Sequence, residues 1–232
     1  MGLNTWSLYF DGSDVGLTSF AIDALARLPS GELLISVDLD GNLTGLTGGP
    51  NGTAVDDSDI VKFTPTSLGA NTAGTWTFYF DGSDVGLTQS AEDIDALEVT
   101  ADGKLLISTT GSPSVSGLSG LQDEDLIQFT PTSLGAVTAG TWAYYFDGSD
   151  VGLSTDSGED VDAAALTNAG QLLLSTLGSF SVPGVSGADE DVVRFTPTSL
   201  GSNTAGTYQM YLDLSALGIS TTANVNAIEI LE

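Results

Sequence analysis

The acidic side chains are the residues whose types and spacing could do chemistry in this chain. The octet "FDGSDVGL" is written at 10–17, 80–87 and 146–153, and each copy sets two aspartates three residues apart: Asp11 and Asp14, Asp81 and Asp84, Asp147 and Asp150. Two further acidic groups recur with it. One is Asp23, then Glu92, Asp93 and Asp95, then Glu159, Asp160 and Asp162. The other is Asp56, Asp57 and Asp59, then Asp123, Glu124 and Asp125, then Asp189, Glu190 and Asp191, while Asp156 stands alone before the third set. Two carboxylates about 4 Å apart repel by about 1 kcal/mol in water and about 4 kcal/mol at an effective dielectric of about 20, so acids gathered in such numbers call for a counter-cation. Calcium accepts about six to eight oxygens from carboxylates and from the carbonyls of flexible loops, and these glycine-rich segments offer both; magnesium demands a tighter octahedron. The octet is not the EF-hand pattern, which needs a longer acidic loop closed by glutamate. The calcium reading therefore rests on convergence of the three groups.

Two other readings use the same residues. Asp-Gly and Ser-Asp are ordinary turn residues that bond their own backbone, so the acids could be solvated turns on a highly charged surface. General acidification would spread acids over every exposed position, yet the turns at 29–32, 101–104 and 168–171 carry mixed residues such as Ser30, Lys104 and Asn168. Paired carboxylates could also hydrolyse a glycoside, but that needs two of them at a defined separation in one pocket, and an active site normally breaks repeat symmetry.

Composition narrows the classes further. The 232 residues carry 31 Asp and Glu against 4 Lys and Arg, a net charge of −27 that repels phosphate backbones and anionic headgroups. Nucleic acid and membrane surfaces are thus poor partners, and cations good ones. With no Cys there are no disulfides, thiolate metal sites or thiol catalysis; with no His the commonest general base and serine–histidine chemistry are gone. No run of apolar residues is long enough to span a bilayer as a helix. No signal peptide is expected, because Met1 leads almost directly into a repeat at Trp6. Such a beginning reads as a module of a longer protein or as an engineered chain.

The elements that must position the acids follow from the repeat. Aligned on Trp6, Trp76, Trp142 and Tyr208, the copies recur with periods of 70, 66 and 66 residues, giving one repeat domain over 1–232 with copies at about 6–75, 76–141, 142–207 and a partial 208–232. Each copy gives four strand signals. A is at 22–28, 94–100 and 161–167; B at 33–37, 105–109 and 172–176; C at 60–64, 126–130 and 192–196, each stopped by a proline; D at 6–10, 76–80, 142–146 and 208–212. Strand D alternates, with Trp76, Phe78 and Phe80 on a core face and Thr77 and Tyr79 on the other. The predicted fold is all-β, a propeller-like array of three full four-stranded antiparallel repeats plus an orphan D strand at 6–10 and an orphan A strand at 225–231. In such a sheet the starts of A and C and the end of D share one edge, which is where the three acidic groups are written. The orphan strands leave edges open for self-association.

The order of strands and the "ADGKL" turn of the A–B hairpin resemble the blades of NHL-type propellers. The octet resembles repeats in large secreted bacterial proteins of unknown function, which implies an extracellular or cell-surface setting and brings no activity with it. The expectation is a non-enzymatic calcium-stabilised scaffold or interaction module whose protein or carbohydrate ligand is unspecified. Two alternatives stand beside it: a carboxylate-based or calcium-dependent hydrolase, for which four basic residues are few, and an engineered repeat protein with no partner. The recurring Tyr9, Tyr79, Tyr145 and Tyr211 are expected to pack between repeats in preference to stacking sugars, and Lys62 and Arg194, at one C-strand position, to make modest rim ion pairs.

Overall fold

The computed structural model describes residues 5–153 and 158–230, and Asp156 lies outside them. Three four-stranded antiparallel sheets form, as the periodicity predicts. The first contains β1 (Ile22–Arg27), β2 (Leu33–Val37), β5 (Ile60–Ser67) and β6 (Ala73–Phe80) in that spatial order. A small hairpin of β3 (Gly41–Asn42) and β4 (Ala54–Val55) interrupts its B–C loop. The second sheet is β7 (Ile94–Val99), β8 (Leu105–Thr109), β9 (Leu126–Ser133) and β10 (Ala139–Phe146). The third is β11 (Ala163–Leu166), β12 (Leu172–Ser175), β15 (Val192–Ser199) and β16 (Ala205–Leu212), again with a loop hairpin, β13 (Phe180–Val182) and β14 (Val185–Gly187). Each octet turns through a short 3-10 segment after strand D and closes on a glycine with positive φ, Gly16, Gly86 or Gly152.

The core lies between the sheets. One cluster joins Ala24, Ala26, Leu34, Ile60 and Phe80 of the first sheet to Ile94, Ile107 and Phe129 of the second, and another joins Ala96, Leu126 and Phe146 of the second to Leu174 and Phe195 of the third. The octet phenylalanine carries the contact: Phe80 meets Phe129 edge-on at 5.2 Å, and Phe129 in turn meets Trp142 at 4.7 Å. Phe10 with Phe63 and Phe146 with Phe195 repeat it at 5.3 and 5.2 Å. Edge-to-face aromatic pairs at this spacing add about 0.5–1.5 kcal/mol beyond their buried area. Tyr79 and Tyr145 pack half-buried against these clusters, whereas Tyr9 and Tyr211 are exposed.

Two expectations are corrected. The prolines do not stop strand C: Pro65, Pro131 and Pro197 sit inside β5, β9 and β15, which continue two residues further. At that point strand C is paired only with D, since B pairs as far as Phe63, Phe129 and Phe195, so the missing N–H faces an unpaired side and a bulge follows. The orphan strands are also not ladder strands. Over the described part of 6–10 only an isolated bridge forms, Phe10 to Gly69, and Trp6 is exposed. Residues 225–230 run as an extended segment without a ladder, held by Val225 N–H donating to the Asp189 carbonyl (3.0 Å) and by Val225, Ile228 and Ile230 packing on Ala165, Leu173 and Val192. Position 231 lies outside the described residues.

The close approach of C and D requires glycine at Gly74, Gly140 and Gly206. A Cβ on Gly140 would stand 2.4 Å from the Thr130 carbonyl oxygen and 2.5 Å from Phe129 Cζ. Gly140→Ala should therefore lower stability by about 1–3 kcal/mol, the usual range for overpacking, as read by urea denaturation. An unchanged midpoint would show that the ladder yields there.

Candidate metal centre

The three acidic groups reach one end of the sheets and then separate. The octet aspartates are used in clasps between neighbouring sheets. Asp84 Oδ2 accepts from Thr138 N–H (2.8 Å), Asp81 N–H donates to Thr138 Oγ1 (2.9 Å), and Gly135 N–H donates to the Tyr79 carbonyl (2.7 Å). Trp142 Nε1 completes the clasp by donating to the Val85 carbonyl at 3.0 Å. Asp14 with Thr72 and Asp150 with Thr204 repeat the carboxylate contact at 3.0 and 2.8 Å. Asp11, Asp81 and Asp147 each accept from the serine two residues on. Thus the octet fastens the end of strand D to the C–D turn of the next sheet.

The acid that opens strand C holds two loops at once. Asp59, Asp125 and Asp191 are buried. Asp125 Oδ2 accepts from Gln122 N–H (2.9 Å) and Oδ1 from Gly148 N–H (3.0 Å); Asp59 takes Asp56 N–H and Gly82 N–H, and Asp191 takes Ala188 N–H and Leu214 N–H. Burial pushes the Asp59 carboxyl up to about 7 and the Asp125 carboxyl up to about 6, against the pull of these N–H groups. Glu92 and Glu159 likewise accept from loop N–H groups of Ser114 and Ser181.

Two places bring carboxylates up against one another. On the rim of the first sheet, Asp40, Asp56 and Asp57 bring three carboxylate oxygens within 4.8 Å of one another, the only such trio found among the described residues. Burial, then Asp56 and Asp40, push the Asp57 carboxyl up to about 7. Asp40 has no acidic counterpart in the other copies, where Ser112 and Ser179 stand at the same distance after strand B. Three converging carboxylates match the oxygen chemistry of calcium. Asp123 and Glu124 form a neighbouring carboxyl pair in the second sheet, with Glu124 pushed up to about 8 by burial and by Asp123.

The second place is where the innermost strands begin. β1 stands beside β7 and β7 beside β11, and the 225–230 segment lies against the third sheet and returns to the first, where Arg27 N–H donates to Glu229 Oε2 at 2.7 Å. Here Asp23 faces Asp93, Asp95 faces Asp160, and Asp162 accepts from Asn224 Nδ2 at 2.7 Å. Burial is the first cause raising all five carboxyls: Asp23 to about 6, Asp160 and Asp162 to about 7, Asp93 to about 8, and Asp95 well above its ordinary value. Asp189 lies close enough to Asp162 to raise it further. At the other end of the same strands Glu98 is pushed up to about 8 by burial and by Glu229. Of the basic residues, Lys62 pairs with Glu32 at 3.7 Å and Lys104 with Asp102 at 2.9 Å, both on the surface, while Arg194 meets the Gln209 amide oxygen.

No family model and no curated protein matches this chain. Among solved structures, the extracellular domain of BT4673 from B. thetaiotaomicron, described as a one component system, is similar at 14% identity and a TM-score of 0.30; the match covers 97% of this chain and 37% of that one.

Proposed function

We propose that this chain is a non-enzymatic scaffold or interaction module of an extracellular or cell-surface protein, built as a propeller-like array and stabilised by calcium. One observation carries the scaffold reading: the residues repeated most faithfully, those of the octet, are engaged in joining one sheet to the next through Thr72, Thr138 and Thr204. Residues repeated for a bond between sheets are repeated for architecture. The calcium part draws on Asp40, Asp56 and Asp57, whose mutual repulsion a divalent cation would relieve.

Thermal melts test it. Millimolar calcium at constant ionic strength should raise the melting temperature and chelator should lower it, because a ligand bound only by the folded state contributes about 2.7 kcal/mol at a hundredfold excess over its dissociation constant. Replacing Asp40 and Asp57 together by Asn should remove a saturable heat from the calorimetric titration. Sodium chloride at matched ionic strength is the control, since screening also relieves acidic repulsion. Equal shifts with calcium and with matched salt, without saturable heat, would leave the acids as a solvated rim.

A further inference from the structure

The buried carboxylates where the inner strands begin differ in kind from the rim trio. Asp95, Asp160 and Asp162 are 5%, 3% and 3% exposed. Both carboxylate oxygens of Asp95 are buried without a hydrogen-bond donor, as are one oxygen each of Asp93, Asp160 and Asp162 and the amide oxygen of Asn224. Leaving a buried acceptor unsatisfied costs about 1–3 kcal/mol, and more when it is charged. Six such oxygens, spread in pairs over the starts of neighbouring inner strands, are therefore a sign of a missing positive partner. No lysine or arginine supplies it, for Lys62 and Lys104 are engaged on the surface, Arg194 meets the Gln209 amide oxygen, and the Arg27 charge acts on Glu229 at the far end of β1.

The repeat itself shows what the pairs lack. Aligning "EDIDALEV" (92–99) with "ANVNAIEI" (223–230) places Asn224 at the position of Asp93 and Asp160. The backbone agrees: Ile94, Val161 and Val225 N–H donate to the carbonyls of Asp57, Asp123 and Asp189 respectively. One geometry thus occurs three times, as Asp23 with Asp93, Asp95 with Asp160, and Asp162 with Asn224. In the last, an amide donates the bond; in the first two, acceptor faces acceptor.

We infer that the Asp95–Asp160 pair, with Asp93, Asp162 and the Asn224 carbonyl around it, is a site for a hard divalent cation of the calcium class, which ties β7 and β11 to the C-terminal segment. The donor set is all oxygen, with no nitrogen or sulfur ligand that would favour a transition metal. Direct contact is pairwise, so water completes the cation's shell. The site uses none of the rim trio; Asp57 and Asp38 approach only its outer edge, at Asp93, and Asp123 and Asp189 approach Asp160 and Asp162 from their own sheets. Loss of the rim site leaves this inference standing.

The test uses the full chain at neutral pH and constant ionic strength. Calorimetry with calcium chloride is compared among the parent, Asp160→Asn, and a rim variant carrying Asp40→Asn and Asp57→Asn, alongside melts in chelator. Asp160→Asn rebuilds at the second pair the amide that Asn224 supplies at the third. It should melt higher than the parent in chelator and lose at least tenfold in affinity for one calcium, while the rim variant keeps that calcium. Asp93→Asn serves as the second variant if Asp160→Asn fails to fold, with the same expectations at the first pair. Unchanged affinity and stoichiometry in Asp160→Asn would overturn the site. So would a parent melt indifferent to chelator, or an Asp160→Asn melt below the parent in chelator, which would mean that the pair shares a proton and needs no metal.

Discussion

In chelator, the melting temperature of this chain should fall as the pH is raised from about 4 to about 8. Folding moves Asp162 and Asp160 from 3.8 to about 7, Asp93 from 3.8 to about 8 and Glu98 from 4.5 to about 8, in each case chiefly by burial. A carboxyl whose folded pKa lies above its unfolded one binds its proton more tightly in the native state. Its stabilising contribution is fully present below the unfolded pKa, near 4, and is lost as the pH climbs through the folded value. For Asp162 alone the span of about three pH units corresponds to on the order of 4 kcal/mol at 1.36 kcal/mol per unit. Neighbouring acids share that effect and do not add to it independently. The direction is opposite to that of ordinary acid denaturation, where ion-paired carboxylates lose their partners as they protonate. Calcium should flatten the profile by replacing protons at the upper end. A melting temperature that rises or stays level between pH 4 and 8 in chelator would show that the buried acids are ionised without penalty.

How much of this was legible in the sequence differs from element to element. Strand B was readable almost to the residue, since Leu33–Val37 and Leu105–Thr109 are short apolar runs bounded by turns. The alternation of Trp76, Phe78 and Phe80 correctly marked the buried face of strand D. Proline was misleading because its effect on a strand depends on whether a neighbour needs its N–H, and that is a property of the assembled sheet. The acids illustrate the same limit at larger range. Antiparallel topology correctly sends the starts of A and C and the end of D to one edge, but it does not say which neighbour each side chain meets there. Asp84 reaches Thr138 across 54 positions, Asp125 reaches Gly148 across 23, and Asp95 faces Asp160 of the next sheet. Those partners are fixed by how one sheet packs on the next, a step that strand patterns alone do not encode. The substitution of Asn224 and Asn226 for aspartates was visible in the sequence, yet it acquires meaning only once Asn224 is seen to donate to Asp162.

The buried acid that opens strand C should be the residue whose removal costs the most. Asp125 is 4% exposed, and its two oxygens take the N–H groups of Gln122 and Gly148, so one carboxylate fixes both the B–C loop and the start of the third octet. Gly148 leaves no room for adjustment: a Cβ there would lie 2.4 Å from the Glu124 carbonyl oxygen. Hydrogen bonds to a charged acceptor contribute about 1.5–3 kcal/mol each, and an amide left buried without a partner forfeits about 1–3 kcal/mol. Asp125→Ala removes both bonds at once, so the expected loss in urea denaturation is about 3–5 kcal/mol, a large share of the stability of a single domain. Relief of repulsion from Asp147 offsets only a little of it. Asp125→Asn keeps one acceptor oxygen and should lose roughly half as much. Asp191→Ala should be milder, because its contacts to Ala188 and Leu214 N–H are longer, at 3.2 and 3.3 Å. Asp102→Ala, on an exposed turn, is the control and should stay within about 0.5 kcal/mol of the parent. If Asp125→Ala costs no more than that control, the octet is held by its aromatic contacts and its clasp to Thr204, and the carboxylate beneath it is incidental.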